Sequence, residues 1–416
     1  MKFQVPKGVS EYYPSRSADF DHVRLTLISA AIAAGYQLIE LPVFEDTELF
    51  TRGVGETTDV VTKEMYTFTD RGGRSLTLRP EGTAGVMRAV IEHGLDRGQL
   101  PVKLWYSGQF FRAERPQAGR YRQFYQVGIE AIGLNDPEID AEVIATADRG
   151  LKKLGLKQYR LDLTSLGDSK SRSAHRVDLV AFIATMELDE PTRAKAALNP
   201  LRLFDDKRED IQRQMQAAPL LMNYLSPESS EHFAKVQSLL AGYGIDFVIN
   251  NRMVRGLDYY TGTTFEFVHQ GLGAQSGIGG GGRYDGLMAQ LGGAELSGIG
   301  FGMGIDRILL ACEAEGVVLP NPPSVDLYLI ALGESTKKFV STLVNRLRNQ
   351  DFRVDMAYGD RALKGAMKAA DRSGAKFSAV IGETELINQV FMIKTMETGE
   401  SQSVTLAALE QFLRQS

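Results

Sequence analysis

One cysteine in 416 residues removes two classes of function at once. Cys312 has no partner in the chain, so neither an internal disulfide nor a cysteine-built zinc site can form. Histidine is nearly as sparse. His22, His93, His175, His232 and His269 are scattered, with no His-x-His or His-x-x-x-His pair, and a metal cage built by the protein is not expected. No apolar run approaches the roughly 18–20 residues a bilayer span needs. The opening stretch, Met1 to Gly8, lacks the apolar core of a signal peptide. There is no GxxxxGK(S/T) loop either, so a bound triphosphate would have to rest on arginines. Positive charge is not in excess: the net charge of −5 argues against a nonspecific nucleic-acid coat but not against a local basic surface. These absences place the chain in the cytosol, away from membranes.

What is present suits a globular chain of two or three domains, with 43% hydrophobic and 24% charged residues. Helical periodicity runs from about Asp19 to Ala34 and stops at Gly35, followed by a strand from Tyr36 to Leu41 that Pro42 ends. Further strands are expected at Leu76–Leu78, Val102–Glu114 and Gln123–Ile132. The last two suit an antiparallel pair joined by the long connection Arg115 to Arg122. Asp136 to Leu154 is helical, with Pro137 tolerated early. Residues 168–240 read as a charged helical insertion between two halves of a sheet. Strand-like sequence returns at Val248, and Gly298–Gly304 leads into a helix at Ile305–Glu315. Residues 321–324, in the proline-rich run Leu319 to Ser324, form the clearest linker. Beyond it, alternating strands and helices over 325–416 make a small α/β domain. The expected division is 1–320, interrupted by 168–240, then the linker and 325–416.

The run Val254-Arg255-Gly-Leu-Asp258-Tyr259-Tyr260-Thr-Gly262 puts one cation, one anion and two phenols in a segment of sheet and turn. Buried, each of those groups needs a hydrogen-bond partner, and together they describe a cavity for a small zwitterion with a polar side chain. A solvated loop is the alternative. In Gln123-Phe-Tyr-Gln-Val-Gly-Ile-Glu130, period two puts Gln126, Gly128 and Glu130 on one strand face and Tyr125, Val127 and Ile129 on the other. That polar face could meet water, or it could seat a ligand. Glu81, in Arg79-Pro-Glu-Gly-Thr83, adds a second carboxylate suited to an ammonium group. Arg112 ends an apolar strand, where a fixed guanidinium can hold a phosphate or carboxylate. Arg307 sits on the first turn of a glycine-led helix, an end that itself attracts anions. The glycine patterns here lie in no parallel βαβ unit, which argues against a dinucleotide site. Arg361, Lys364, Lys368 and Arg372 would form one basic stripe on a helix, either a solvated face or a binding surface.

In order along the chain, these segments resemble the signatures of the histidyl-tRNA synthetases. Phe111-Arg112-Ala-Glu114-Arg115-Pro116 with Gly119-Arg-Tyr-Arg-Gln-Phe124 is similar to the second class II signature, and Gly302-Met-Gly304-Ile-Asp-Arg307 to the third. The first helix, strand and Pro42 resemble the first signature. Arg255-Gly-Leu-Asp-Tyr-Tyr260 and Gly281-Gly-Arg-Tyr-Asp-Gly286 look like the two histidine-specific motifs. Thr164-Ser165-Leu166-Gly167 departs from the family pattern, which usually begins with asparagine.

The resemblance implies an α+β fold: a class II antiparallel sheet flanked by helices, a helical insertion and a C-terminal α/β anticodon-binding domain of class IIa type. It also implies a homodimer that activates L-histidine with ATP and magnesium and charges tRNA(His). Arg112 and Arg307 would contact the α- and γ-phosphates. Glu81, Thr83 and Gln126 would hold the ammonium group, Glu130 and Tyr260 the imidazole nitrogens, with Tyr259 nearby and Gly82 also among the histidine-binding residues. Arg255 would stand between the carboxylate and the α-phosphate; Gln117 and Arg120 would read the acceptor end. Two other readings are a non-enzymatic relative that senses histidine or uncharged tRNA, and a ligase acting on another small acid. The three arginines and full terminal domain weigh against the first, the Gln126/Glu130 face against the second.

Overall fold

The computed structural model describes residues 3–14, 16–56, 58–320, 324–359 and 361–415. It divides into two compact units, Met1–Pro320 and Asn321–Ser416. Of the expected linker, 321–323 lie outside the described residues.

The first unit is built on a sheet whose described strands run in the order Gln37–Leu38, Val102–Phe111, Gln123–Ile132, Gly298–Gly304, Gly277–Arg283, Thr261–His269, Tyr159–Ser165 and Val248–Ile249. The two short edge strands pair in parallel and the inner six are antiparallel. One face is apolar. Val127, Ile129, Phe265, Phe267, Ile299 and Phe301 pack there against helices Arg16–Ala33, Pro137–Lys153 and Ile305–Glu315. The other face holds the cavity described below.

Most of these elements fall where periodicity places them, with instructive differences. The first helix begins at Arg16 and ends at Ala33, and Gly35 turns the chain at φ 83°. The strand expected from Tyr36 to Leu41 shrinks to Gln37–Leu38. The strand expected to reach Glu114 stops at Phe111: the Arg112 N–H still donates to the Arg122 carbonyl at 2.9 Å, but the Ala113 N–H turns away to the Glu64 carbonyl at 2.7 Å. Leu76–Leu78 belongs to a separate sheet with Phe44–Asp46 and Tyr66–Thr69. Its short, exposed strands carry little periodic signal.

The stretch 168–240 sorts into two parts. Leu179 to Ala218 forms a small core of its own, with Ile183, Ile211 and Met215 buried. The last helix, Pro227–Gly242, instead buries Phe233, Val236 and Leu240 in the main core, against helix Pro137–Lys153.

In the second unit, strands Val354–Met356, Val325–Ala331 and Ala375–Ile381 run parallel, and Val390–Thr395 and Ser401–Thr405 continue antiparallel. Helix Leu363–Arg372 buries Ala366 and Ala370 and leaves Lys364, Lys368 and Arg372 exposed; Arg361, just before it, is exposed as well.

Candidate active site

A row across five strands makes the floor. Cross-strand pairing aligns Tyr106 with Gly128, Gly128 with Gly302, Gly302 with Gly280, and Gly280 with Glu266. Paired residues share a face, so three glycines in line leave a flat strip between a phenol and a carboxylate. The absent side chains are a steric requirement. A Cβ at Gly128 would strike the Tyr106 ring, and one at Gly280 would stand 3.0 Å from the Arg255 guanidinium. Along Gly298–Gly304, glycine recurs at every second position while Ile299, Phe301 and Met303 face the core. The glycine run is therefore a strand trimmed on one face, and it does not form a phosphate loop.

The cavity above this floor measures about 220 Å³. Glu81, Gly82, Thr83, Arg112, Gln126, Arg255, Tyr259, Tyr260 and Arg307, all expected at a site, line it together. They come from segments up to 226 residues apart, counting from Glu81 to Arg307. The solvated-loop alternative for 254–262 fails, since Tyr259 and Tyr260 are buried.

Each acid has a defined environment. Glu81 accepts from the N–H groups of Thr83 at 2.7 Å and Ala84 at 2.9 Å, capping helix Thr83–His93, whose own N-cap residue is glycine. Burial raises its pKa, with those two N–H bonds acting the other way. Glu130 was expected on the cavity surface, but it lies one layer behind it at 0% exposure. There its carboxyl accepts from Tyr284 at 2.7 Å, Thr83 at 2.8 Å and Tyr106 at 3.2 Å. A buried carboxyl in this position needs such donors. Tyr106, Tyr284 and Glu266 carry no role in the sequence reading. Tyr284 lay within a motif, whereas Tyr106 and Glu266 become visible only once strand register is known.

Burial pushes Glu130 up to about 8, with Glu81 adding to the rise and the three hydroxyls opposing it. A free glutamate loses its proton near 4.5. Between those values the folded chain holds a proton that the unfolded chain has lost, so this group's contribution to stability falls as pH rises from about 4.5 to about 8. Glu130→Gln removes that dependence. Relative to wild type, the ligand-free variant should gain on the order of a few kcal/mol between pH 5 and pH 8, measured by urea unfolding. Parallel pH profiles for the two proteins would refute this.

The arginines are held differently. Arg112 Nε donates to the Pro80 carbonyl at 3.0 Å, and its guanidinium lies 5.3 Å from the Phe124 ring centre. Burial lowers the pKa of both Arg112 and Arg307. Arg307 donates to the Gly119 and Gly277 carbonyls, both at 2.6 Å, and so ties the 115–122 connection to the sheet. Arg255 stands over Tyr260 at 5.4 Å with Nη1 3.5 Å from Glu266, and its buried Nε has no partner. Burial opposes its charge, but Glu266 and Tyr260 outweigh that and raise its pKa. Arg255 lines the cavity, where a guanidinium suits an anion. Gln117 is exposed on the connection, whereas Arg120 turns inward onto Glu114, with Glu64 at 3.8 Å.

A six-stranded antiparallel core thus presents acids, an amide and three arginines to one cavity. The chain belongs to the histidyl-tRNA synthetase family. A family model described as "Histidyl-tRNA synthetase" matches residues 8–308, and one described as "Anticodon binding domain" matches 326–416. The chain is 60% identical over 404 residues to the histidine–tRNA ligase of Saccharopolyspora erythraea, covering 97% of this chain and 96% of that protein. It is 59% identical over 416 residues to the histidine–tRNA ligase of Corynebacterium urealyticum, covering 99% and 97%. The apo S. aureus histidyl-tRNA synthetase structure superposes with a TM-score of 0.84 at 36% identity, covering 99% of this chain and 100% of that one.

Proposed function

We infer that this chain is a histidine–tRNA ligase, which joins L-histidine to ATP as histidyl-adenylate with release of pyrophosphate and then passes histidine to the 3′ end of tRNA(His). The observation that carries the reading is the glycine-floored cavity, with Arg255, Arg112 and Arg307 on its wall and Glu130 buried behind it.

In the first step a carboxylate oxygen of histidine attacks the α-phosphorus. The bond to the bridging oxygen breaks and pyrophosphate leaves with the electron pair. Two anions must approach while charge builds on the phosphoryl oxygens, so fixed cations are the main requirement. Arg255 sits between the carboxylate and the α-phosphate, Arg112 supports the α-phosphate and Arg307 the γ-phosphate. The ammonium group is held by Glu81, Thr83 and Gln126 beside Gly82. Tyr260 takes one imidazole nitrogen, with Tyr259 alongside; the other displaces one of the hydroxyls now on Glu130. A side chain lacking those nitrogens would leave the buried groups unpaired, which is the source of specificity.

Among the described residues there is no group of three or more His, Cys, Asp or Glu side chains that could hold a metal. Magnesium would ride on the outer phosphates, with Glu114 and Glu266, cavity-wall carboxylates that now face Arg120 and Arg255, as the side chains that would help hold it. It would supply charge neutralisation there.

In the second step the terminal ribose hydroxyl attacks the activated carbonyl and AMP leaves, and positioning dominates. Gln117 and Arg120, the latter released from Glu114, would meet the acceptor end; residues 325–416 would meet the anticodon. A homodimer fits the exposed apolar side chains Leu25, Ile32, Leu38 and Phe44 in the stretch that resembles the first signature. A cytoplasmic enzyme fits the described helices, none of which is long and apolar enough to cross a membrane.

ATP–pyrophosphate exchange with each amino acid in turn tests the assignment. Histidine alone should support exchange; no exchange would indicate a regulator, and exchange with another acid a different ligase. Cutting the chain after Ser324 should preserve histidine-dependent exchange and abolish charging of tRNA. Loss of exchange, or retained charging, would refute that division of labour.

A further inference from the structure

Arg255 is central to the reaction, and its local neighbours are the Tyr260 ring, 5.4 Å away, and Glu266. Residues 251–260 form neither helix nor strand, so no ladder fixes their backbone. The guanidinium is loosely tethered as well, with Glu266 at 3.5 Å and Nε unpartnered. Its place is set by where the segment's backbone is held.

Part of that hold comes from the helical insertion. Arg202 Nη2 donates to the Gly256 carbonyl at 3.1 Å, and Asn199 Nδ2 to Asp258 Oδ1 at 3.2 Å. These two residues flank Pro200 at the start of the short turn Pro200–Asp205. Arg252 reaches back to the carbonyls of Met215 at 3.2 Å and Gln216 at 2.8 Å. On its other side the segment meets the main body where the Asp258 N–H donates to the Val54 carbonyl at 3.2 Å. Behind Arg255 and Tyr260 the insertion does not pack solidly. A second cavity of about 80 Å³ lies there, with Arg172, His175, Phe204 and Met253 on its wall. Packing of Leu257, Tyr259 and Tyr260 against the main body fixes the end of the segment, and the polar grips of the insertion hold the stretch around Arg255 beside this cavity.

We propose that Asn199 and Arg202 are positioning residues for adenylate formation: by gripping Asp258 and the Gly256 carbonyl, they set where the Arg255 guanidinium stands over the cavity. The proposal rests on the role given to Arg255 above. It makes histidine activation depend on the insertion, although Asn199 and Arg202 do not line the main cavity.

The experiment is ATP–pyrophosphate exchange by the full chain carrying Asn199→Ala and Arg202→Ala together. A displacement of about 1 Å at a reacting group costs on the order of 100-fold, so kcat/KM for histidine should fall between about 10- and 100-fold. KM for ATP should stay within about twofold, because Arg112 and Arg307 are anchored elsewhere. Arg202→Lys, which keeps a donor, should recover part of the loss. Arg208→Ala is the control: Arg208 bonds Asp189, Asp206 and Thr192, all within the insertion, and should leave kcat/KM for histidine near wild type. Amide hydrogen exchange gives a readout independent of activity. Residues 251–260 should exchange faster in the double variant, with the 123–132 strand unchanged.

The proposal is overturned if the double variant keeps kcat/KM for histidine within twofold of wild type. It is equally overturned if Arg208→Ala causes the same loss, which would mean general weakening of the insertion, or if exchange in 251–260 is unaltered. Failure of the functional reading looks different: wild type itself would show no histidine-dependent exchange.

Discussion

Alanine at position 255 is expected to slow histidine-dependent ATP–pyrophosphate exchange by roughly 30- to 1000-fold, the rate equivalent of about 2–4 kcal/mol of lost transition-state stabilisation. The guanidinium stands at the wall of the main cavity, where a fixed cation suits a ligand anion. Both reactants carry negative charge toward one another there, and a cation already fixed at the cavity wall offsets that charge without solvent reorganisation. The substitution removes one contact with a core residue, the Tyr260 ring, and the melting temperature should fall by only a few degrees. Arg255→Lys should recover only part of the rate, because an ammonium lacks the planar fork. Exchange by Arg255→Ala within a factor of a few of wild type would sink the assigned role.

A second substitution tests the floor. Gly300 lies directly across from Glu130 on the neighbouring strand, and a Cβ there would collide with the Glu130 carboxylate and with the Ile129 carbonyl. Neither obstacle yields easily: the first is held by three hydroxyls and the second belongs to a central strand. Gly300→Ala should therefore destabilise the chain by about 1–3 kcal/mol, as overpacking does. It should also raise KM for histidine at least about 100-fold, on the scale expected when buried specificity groups are left unpaired. Gly302→Ala is the comparison. Its Cβ would stand 3.1 Å from the Gln126 amide, the movable end of a side chain, and a milder loss is expected. Equal effects at the two positions, read by thermal melting and exchange kinetics, would show that strand flatness alone matters and that Glu130 does not.

The sheet was legible wherever period two is strong. Gln123–Ile132 has the bounds the alternation of its side chains indicates, and the cavity face is the one carrying Gln126. The helix ending at Gly35 and that begun by Pro137 were equally open to reading, because caps and proline positions are local signals. In 325–416, strand and helix alternate closely enough that Val325–Ala331 was marked residue for residue, while Ser401–Thr405, an exposed strand with little apolar content, passed unnoticed.

The site was legible less evenly. Arg112, Arg255, Arg307 and the tyrosine pair stood out because charge and phenol beside apolar strand sequence demand a partner. Tyr106 and Glu266 did not, since each looks like an ordinary strand residue until the register sets them at opposite ends of one row of glycines. Glu130 was found but set one layer too far forward. Nothing in its own segment announces that Tyr284, 154 positions later, closes over it.

From its order of residues alone this chain determined its strands, its capped helices and the kinds of group its chemistry needs, because those follow from side-chain period and local hydrogen bonding. Folding in three dimensions decided which of those groups face open space, which are sealed behind hydroxyls, and which part of 168–240 joins the main core. Such outcomes depend on strand register and on contacts between segments hundreds of residues apart, and no local pattern encodes them.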